Sequence, residues 1–226
     1  MTCKDPPLAD DYAVIEAIIR QRGITRLLHF STNRGLVGTL ASRALKSRAL
    51  LNVDNYLERI FTPNALVRRD FPWTRHVSLS ISRINASFFA ASARWHAHDE
   101  VWWCVLEFAP VLLTHEGVVF VTTNNIYTGA DRNTGAAGLE ALFAERILQY
   151  RNLISVRGPD VPDELTTDAQ AEVLYPVEVC THHLRRVYVQ NEHQAAVAEA
   201  QMAAVDHPSI PVEVQPEVFA AMAISW

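Results

Sequence analysis

Val14, Ile15, Ile18 and Ile19 fall on one stripe of a 3.6-residue period. They predict a first helix that Asp10 or Asp11 caps and Gly23 ends. Ile24 to Phe30 reads as a strand, and Ser31 or Thr32 opens a second helix with Leu36, Leu40 and Ala44 on one face. Asp54 to Phe61 predicts a short helix, stopped by Thr62 and Pro63. His76 to Ser82 alternates polar and apolar residues, the pattern of a half-buried strand. Ile84 to Trp95 reads as a helix, and Val101 to Phe108 as a strand rich in aromatic and branched residues. A strand over Val118 to Thr123 and a helix over Gly138 to Gln149 follow. Residues 150–169 show no period and contain Gly158-Pro159 and Val161-Pro162; an irregular connection of that length is usually functional or disordered. Ala171 to Tyr175 and Arg186 to Val189 predict strands, and Glu192 to Val205 an Ala-rich helix. Ile210 to Val214 reads as a short extended piece, and Pro216 starts a last helical turn. No internal repeat or linker interrupts the pattern, so one α+β domain over residues 1–226 is expected.

Composition narrows the class. The 226 residues are 49% hydrophobic and 20% charged, an ordinary globular balance that can bury a full core. No apolar run reaches the ~20 residues that cross a bilayer, and the first residues lack a signal-peptide core. Cys3, Cys104 and Cys180 are odd in number and widely spaced. They are read as ruling out a disulfide scaffold and a Cys-based zinc ribbon, and as fitting a reducing, cytoplasmic setting. The net charge of −5 hides an asymmetry: residues 20–94 carry thirteen Lys and Arg against three acids, and residues 191–226 carry five acids and no Lys or Arg. The basic stretch is a candidate phosphate track.

Candidate chemistry sits where apolar strands end in polar residues, since packing fixes the strand and leaves its end to face a cleft. His29 and Ser31 are two apart and share one face of an extended segment; together they can grip an amide or a ribose, and a hydrogen-bonded core histidine beside a helix cap is the competing reading. Arg83 closes the strand that holds Ser78, Ser80 and Ser82, and a guanidinium fork there can clamp a pyrophosphate. Asn124 and Asn125 end the next buried strand, where asparagine is a poor strand former but a good amide donor and acceptor; a simple turn is the competing reading. Glu172, two residues after Gln170, enters an apolar strand, where a carboxylate needs partners or a task. One such task is to stabilise the cation that develops when a glycosidic bond breaks; an ion pair with an arginine is the alternative. His96-Ala-His98, with His115 and His182-His183, invites a metal reading without ordered ligand spacing.

In this order, His29-Phe-Ser31, Arg83 closing its strand, Thr123-Asn-Asn125 and Gln-Ala-Glu-Val-Leu at 170–174 resemble the DarT-like family of nucleic-acid ADP-ribosyltransferase toxins. The similarity covers about residues 24–189, leaving 190–226 as a C-terminal helical extension. The resemblance implies a split, mostly antiparallel sheet with flanking helices around an NAD⁺ cleft. It implies transfer of ADP-ribose to a base of single-stranded nucleic acid, DNA ahead of RNA, with no metal. It implies the toxin of a toxin–antitoxin or phage-defence system, with a cognate antitoxin that is often a macrodomain protein. Glu172 would be the catalytic carboxylate, assisted by Arg83; His29, Ser31, Asn33 and Arg83 would hold NAD⁺. Gln170, Asn124, Asn125 and Arg157 would meet the target, with Arg151 beside them in the loop. The Gln-x-Glu pattern resembles transferases acting on amides or guanine, so guanine is a plausible base beside thymine. A protein-directed transferase of the same fold, a non-catalytic nucleotide-binding module and a metal hydrolase built on His96 and His98 are the competing readings.

Overall fold

The computed structural model describes residues 3–51, 73–97 and 100–220. The helix expected at 54–61 and the basic residues Arg59, Arg68 and Arg69 lie outside them. The described chain begins with α1 (Tyr12–Arg22), β1 (Leu27–Thr32), α2 (Asn33–Ser42) and β2 (Ala44–Lys46). A one-turn helix at Arg48–Leu51 precedes β3 (His76–Ile81), α3 (Ala86–Trp95), β4 (Trp103–Phe108) and β5 (Val119–Val121). Then come β6 (Arg132–Thr134), α4 (Gly135–Ala141), β7 (Arg146–Leu148) and β8 (Ile154–Val156). β9 (Glu172–Pro176), β10 (Glu178–Cys180), β11 (Leu184–Val189), α5 (Glu192–Ala204) and β12 (Val212–Val214) complete it.

Eight strands form one sheet in the order β12-β11-β4-β1-β3-β9-β5-β6. All its pairings are antiparallel except β11 with β12. This is the mixed α and β architecture expected from the resemblance. β1 pairs with β4 along its whole length, but with β3 only at Leu27↔Ile81 and Leu28↔Ser80. From His29 onward β1 and β3 have no ladder, and there the sheet splits.

Strict alternation on β3 explains how the two faces divide. Val77, Leu79 and Ile81 are buried in the main core with Leu27, Leu36, Leu40, Val173 and Tyr175. His76, Ser78 and Ser80 point the other way and line a cleft. A second apolar cluster of Leu28, Phe89, Trp103, Val105, Tyr188 and Phe219 fills the rest of that face, with Phe30 edge-on to Phe89 and Trp103. Edge-to-face aromatic pairs of this kind add to plain area burial.

Four expectations change. The helix expected over Gly138–Gln149 ends at Ala141; Arg146–Leu148, within that expected helix, pairs as a hairpin with Ile154–Val156, which lies inside the stretch read as irregular. Ala44 leaves the face of α2, because Arg43 takes the left-handed conformation (φ 60°) and starts β2. Asp11 does not cap its own helix; its Oδ2 accepts the Ala136 N–H at the start of α4, 2.6 Å away. Cys3 and Cys180 form a disulfide across 177 residues of sequence. Widely spaced cysteines carry no readable pairing, so the sequence could not show this. The remaining cysteine, Cys104, is buried beneath Ser31, and burial pushes its thiol up to about 12. Among the described residues no helix is long and apolar enough to cross a membrane.

Two outcomes follow. Leu106 is fully buried on the central β4. Leu106→Ala is expected to cost roughly 2–5 kcal/mol in urea unfolding, the range for a large core truncation. His76, His115, His183 and His207 are each pushed below the ordinary 6.5, with burial as the largest cause. Their neutral forms favour the folded state, so stability is full above pH 6.5 and falls as the pH drops below it. Urea midpoints compared between pH 7.5 and 5.5 are expected to show that fall.

Candidate active site

The split between β1 and β3 opens a cleft of about 470 Å³. Where the ladder stops, the His29 ring takes over: Nδ1 lies 2.8 Å from the Ser78 carbonyl oxygen. A carbonyl only accepts, so Nδ1 carries the proton in that bond. The side chain of His29 thus bridges the two strands that part around it.

Glu172 begins β9 and is 7% exposed on the same cleft face as Ser78. A buried carboxylate needs donors to offset its lost hydration. The Ser78 hydroxyl donates to Oε2, and the Asn125 backbone N–H donates to Oε1 at 2.9 Å. No arginine pairs with it among the described residues, so the ion-pair alternative does not hold. The carboxylate is fixed by two neutral donors at the cleft.

The loop after β5 supplies one of those donors, and Arg132 holds that loop. Arg132 Nε donates to Asn125 Oδ1 at 2.8 Å, and its other nitrogens donate to the carbonyls of Asn125, Tyr127 and Ala130. Asn125 is therefore a buried anchor, with its backbone toward Glu172 and its side chain toward Arg132. Asn124 lines the cleft, and its amide donates to Gln170 Oε1 at 3.4 Å; Tyr127 donates to the same oxygen at 3.2 Å. Gln170 is positioned from behind by Asp168, whose Oδ1 accepts the Gln170 N–H at 2.7 Å. Asp168 Oδ2 in turn accepts from Gln149 and Ser155.

The structure thus brings His29, Asn124, Asn125, Gln170 and Glu172 together, and it places the other expected residues elsewhere. Ser31 is 4% exposed and faces the main core, because β1 is a central strand at that point; its hydroxyl does not line the cleft. Asn33 is used to tie the start of α2 to Trp102, whose N–H donates to its Oδ1 at 3.3 Å. Arg157 staples its own loop, donating to the carbonyls of Leu165 and Pro162. Arg83 follows the cleft strand, but its guanidinium turns to the Thr166 carbonyl at 2.8 Å, and burial lowers its pKa. Its Nε is buried with no hydrogen-bond partner among the described residues.

Several lining residues were not singled out from sequence. Lys46 and Arg48 bring two cations to the cleft, and Phe88, Trp95, Tyr127 and Tyr150 bring aromatic rings. Tyr127 and Tyr150 stack at 5.2 Å, with the Arg151 guanidinium 4.9 Å over the Tyr150 ring. Lys46 and Arg48 belong to the basic stretch noted in the sequence, but nothing in that stretch separates cleft cations from surface ones. His96 packs against Trp103 and belongs to no metal-ligand cluster among the described residues, and His98 lies outside them.

A model of the family described as ssDNA thymidine ADP-ribosyltransferase, DarT, matches residues 54–220. The chain belongs to the DarT family. The match runs past residue 189, where the resemblance in the sequence ends, and takes in α5 and β12. No curated protein matches the chain in sequence. Among solved structures, Thermus sp. 2.9 DarT in complex with NAD⁺ aligns at a TM-score of 0.61 and 13% identity, over 87% of this chain and 98% of that one. Thermus sp. 2.9 DarT in complex with ADP-ribosylated ssDNA aligns at 0.57 and 12%, over 88% and 97%. Thermosipho africanus DarTG in complex with ADP-ribose aligns at 0.56 and 11%, over 86% of this chain and 51% of that one. At such identities the likeness is one of fold, and the DarT fold is what it shares.

Arg132 is the tie that holds the loop whose Asn125 N–H donates to Glu172. Arg132→Ala is expected to lower the transfer rate about 10²-fold, the cost of a misplacement near 1 Å, with a smaller change in NAD⁺ KM. Steady-state kinetics separate the two.

Proposed function

We propose that this DarT-family chain, an NAD-dependent ADP-ribosyltransferase of single-stranded DNA, uses Glu172 as its catalytic carboxylate and thymidine as its acceptor. The observation that carries the assignment is the buried, arginine-free carboxylate of Glu172, held by Ser78 and Asn125 at the floor of the cleft. The residues present fit a dinucleotide donor: the cleft has cations in Lys46 and Arg48, aromatic walls, and one carboxylate. NAD⁺ supplies the ADP-ribosyl group, with nicotinamide as the leaving group.

Glu172 stabilises positive charge developing on the sugar, and the low exposure of the site strengthens that interaction. Ser78 and Asn125 keep the carboxylate from swinging away. His29 lines the same cleft with its ring orientation fixed by Ser78. Lys46 and Arg48 attract the phosphates. On the acceptor side, Asn124, Gln170 and Tyr127 form a hydrogen-bonded set beside Glu172 that can read a base edge. Exposed Tyr150 extends the aromatic rim that Tyr127 begins, and Arg151 over its ring suits a backbone phosphate. Arg83 serves the acceptor loop through Thr166. The thymidine assignment rests on the family description and replaces the guanine suggested by Gln-x-Glu. A toxin role with a cognate antitoxin is proposed on the same family ground.

Mass spectrometry of oligonucleotides incubated with NAD⁺ tests this. Single-stranded DNA containing thymidine is expected to gain ADP-ribose; thymidine-free DNA and RNA are expected not to. Glu172→Gln is expected to cut transfer by 10²–10³-fold or more, about the effect of losing one preorganised electrostatic group. Undiminished transfer by that variant would remove the catalytic role of Glu172.

A further inference from the structure

On the other side of the sheet from the cleft, the N-terminal segment crosses the corner between β10 and β11. Three histidines and a carboxylate meet there, and the transfer chemistry uses none of them. Asp5 Oδ2 lies 2.9 Å from Nε2 of His182 and 2.9 Å from Nε2 of His183. One donor atom each from Asp5, His115 and His183 falls within 4.8 Å of the others. His115 is 6% exposed, and its Nδ1 is 2.6 Å from the Tyr175 hydroxyl, which leaves the other ring nitrogen for the cluster. Asp5 Oδ1 is buried with no hydrogen-bond partner among the described residues.

We propose that Asp5, His115 and His183, with His182 completing the set, bind a divalent transition-metal ion of zinc type that fastens the N-terminal segment to the body of the protein. Two imidazoles and one carboxylate within 4.8 Å of one another suit such an ion, and His182, on the same Asp5 oxygen, is the fourth ligand in reach. Oxygen-loving calcium or magnesium would not choose it. The Tyr175 hydroxyl fixes the His115 ring through its distal nitrogen, as partners of ligating histidines do. A bound ion gives the unsatisfied Asp5 Oδ1 a partner.

The ligands are already placed. Asp5 sits between the Cys3–Cys180 disulfide and the backbone bonds Glu116 N–H to Pro7 O (2.8 Å) and Ala9 N–H to Thr114 O (2.8 Å). Tyr175 and Glu172 are three residues apart on β9, so they face opposite sides of the sheet. The site is therefore structural and separate from the transfer reaction, and its test does not depend on activity. A second grouping, Asp5 with Cys180 and His182, needs a thiol that the disulfide removes.

Untagged full-length protein, purified without reductant and stripped with chelator, is titrated with Zn²⁺ by calorimetry, with thermal unfolding in parallel. The expected result is one Zn²⁺ per chain and a higher Tm with Zn²⁺. Asp5→Asn and His183→Ala are each expected to weaken binding by roughly ten- to hundredfold or more, while His193→Ala on the exposed face of α5 leaves it unchanged. Asp5→Asn keeps a side-chain oxygen for the histidines, so it guards against a folding defect. Absence of binding tighter than millimolar, or affinity unaffected by both variants, overturns the proposal. Binding seen only after reduction and lost in Cys180→Ser also overturns it, in favour of the cysteine-containing set.

Discussion

A carboxylate buried in an apolar sheet is the constraint around which the cleft is built. At 7% exposure Glu172 needs donors to offset its lost hydration, and it receives two neutral ones. Each donor imposes a further requirement. Ser78 must lie on the cleft face of β3, which fixes that strand's register and sends Val77, Leu79 and Ile81 into the core. Asn125 must present its backbone N–H, which Arg132 enforces through four hydrogen bonds to the loop. The parting of β1 from β3, bridged by His29, then gives the carboxylate something to face.

The sequence showed the elements whose period and punctuation agree. Gly23 ended α1, the alternation of β3 was correct in both faces, and the tail resolved into α5, β12 and a final turn at Pro216–Phe219. It failed where three-residue strands are made by pairing alone. β2, β6, β7, β8 and β10 are too short to carry a period, and their partners are set by tertiary contact. The disulfide belongs with these, since it joins residues 177 apart.

For the site, strand-end polarity found His29, Asn124, Asn125, Gln170 and Glu172, because a buried polar residue after an apolar run is itself anomalous. The same signal picked Ser31, which satisfies local packing, and the resemblance added Asn33, which serves a helix start. Arg132 and Asp168 were invisible for the opposite reason. Each looks ordinary in sequence, and each becomes important only through the polar groups that folding brings to it.

The alternation of β3 has an outcome for how such a protein can diversify. Its floor is one strand thick, so cleft and hydrophobic interior take opposite sides of the same six residues. Inserting or deleting a residue there would trade serines for valine and leucine on both surfaces at once. Tailoring toward a different nucleobase is thereby channelled outward, to the rim carrying Tyr127 and Tyr150, where chain length and side chain can drift while the interior stays as it is.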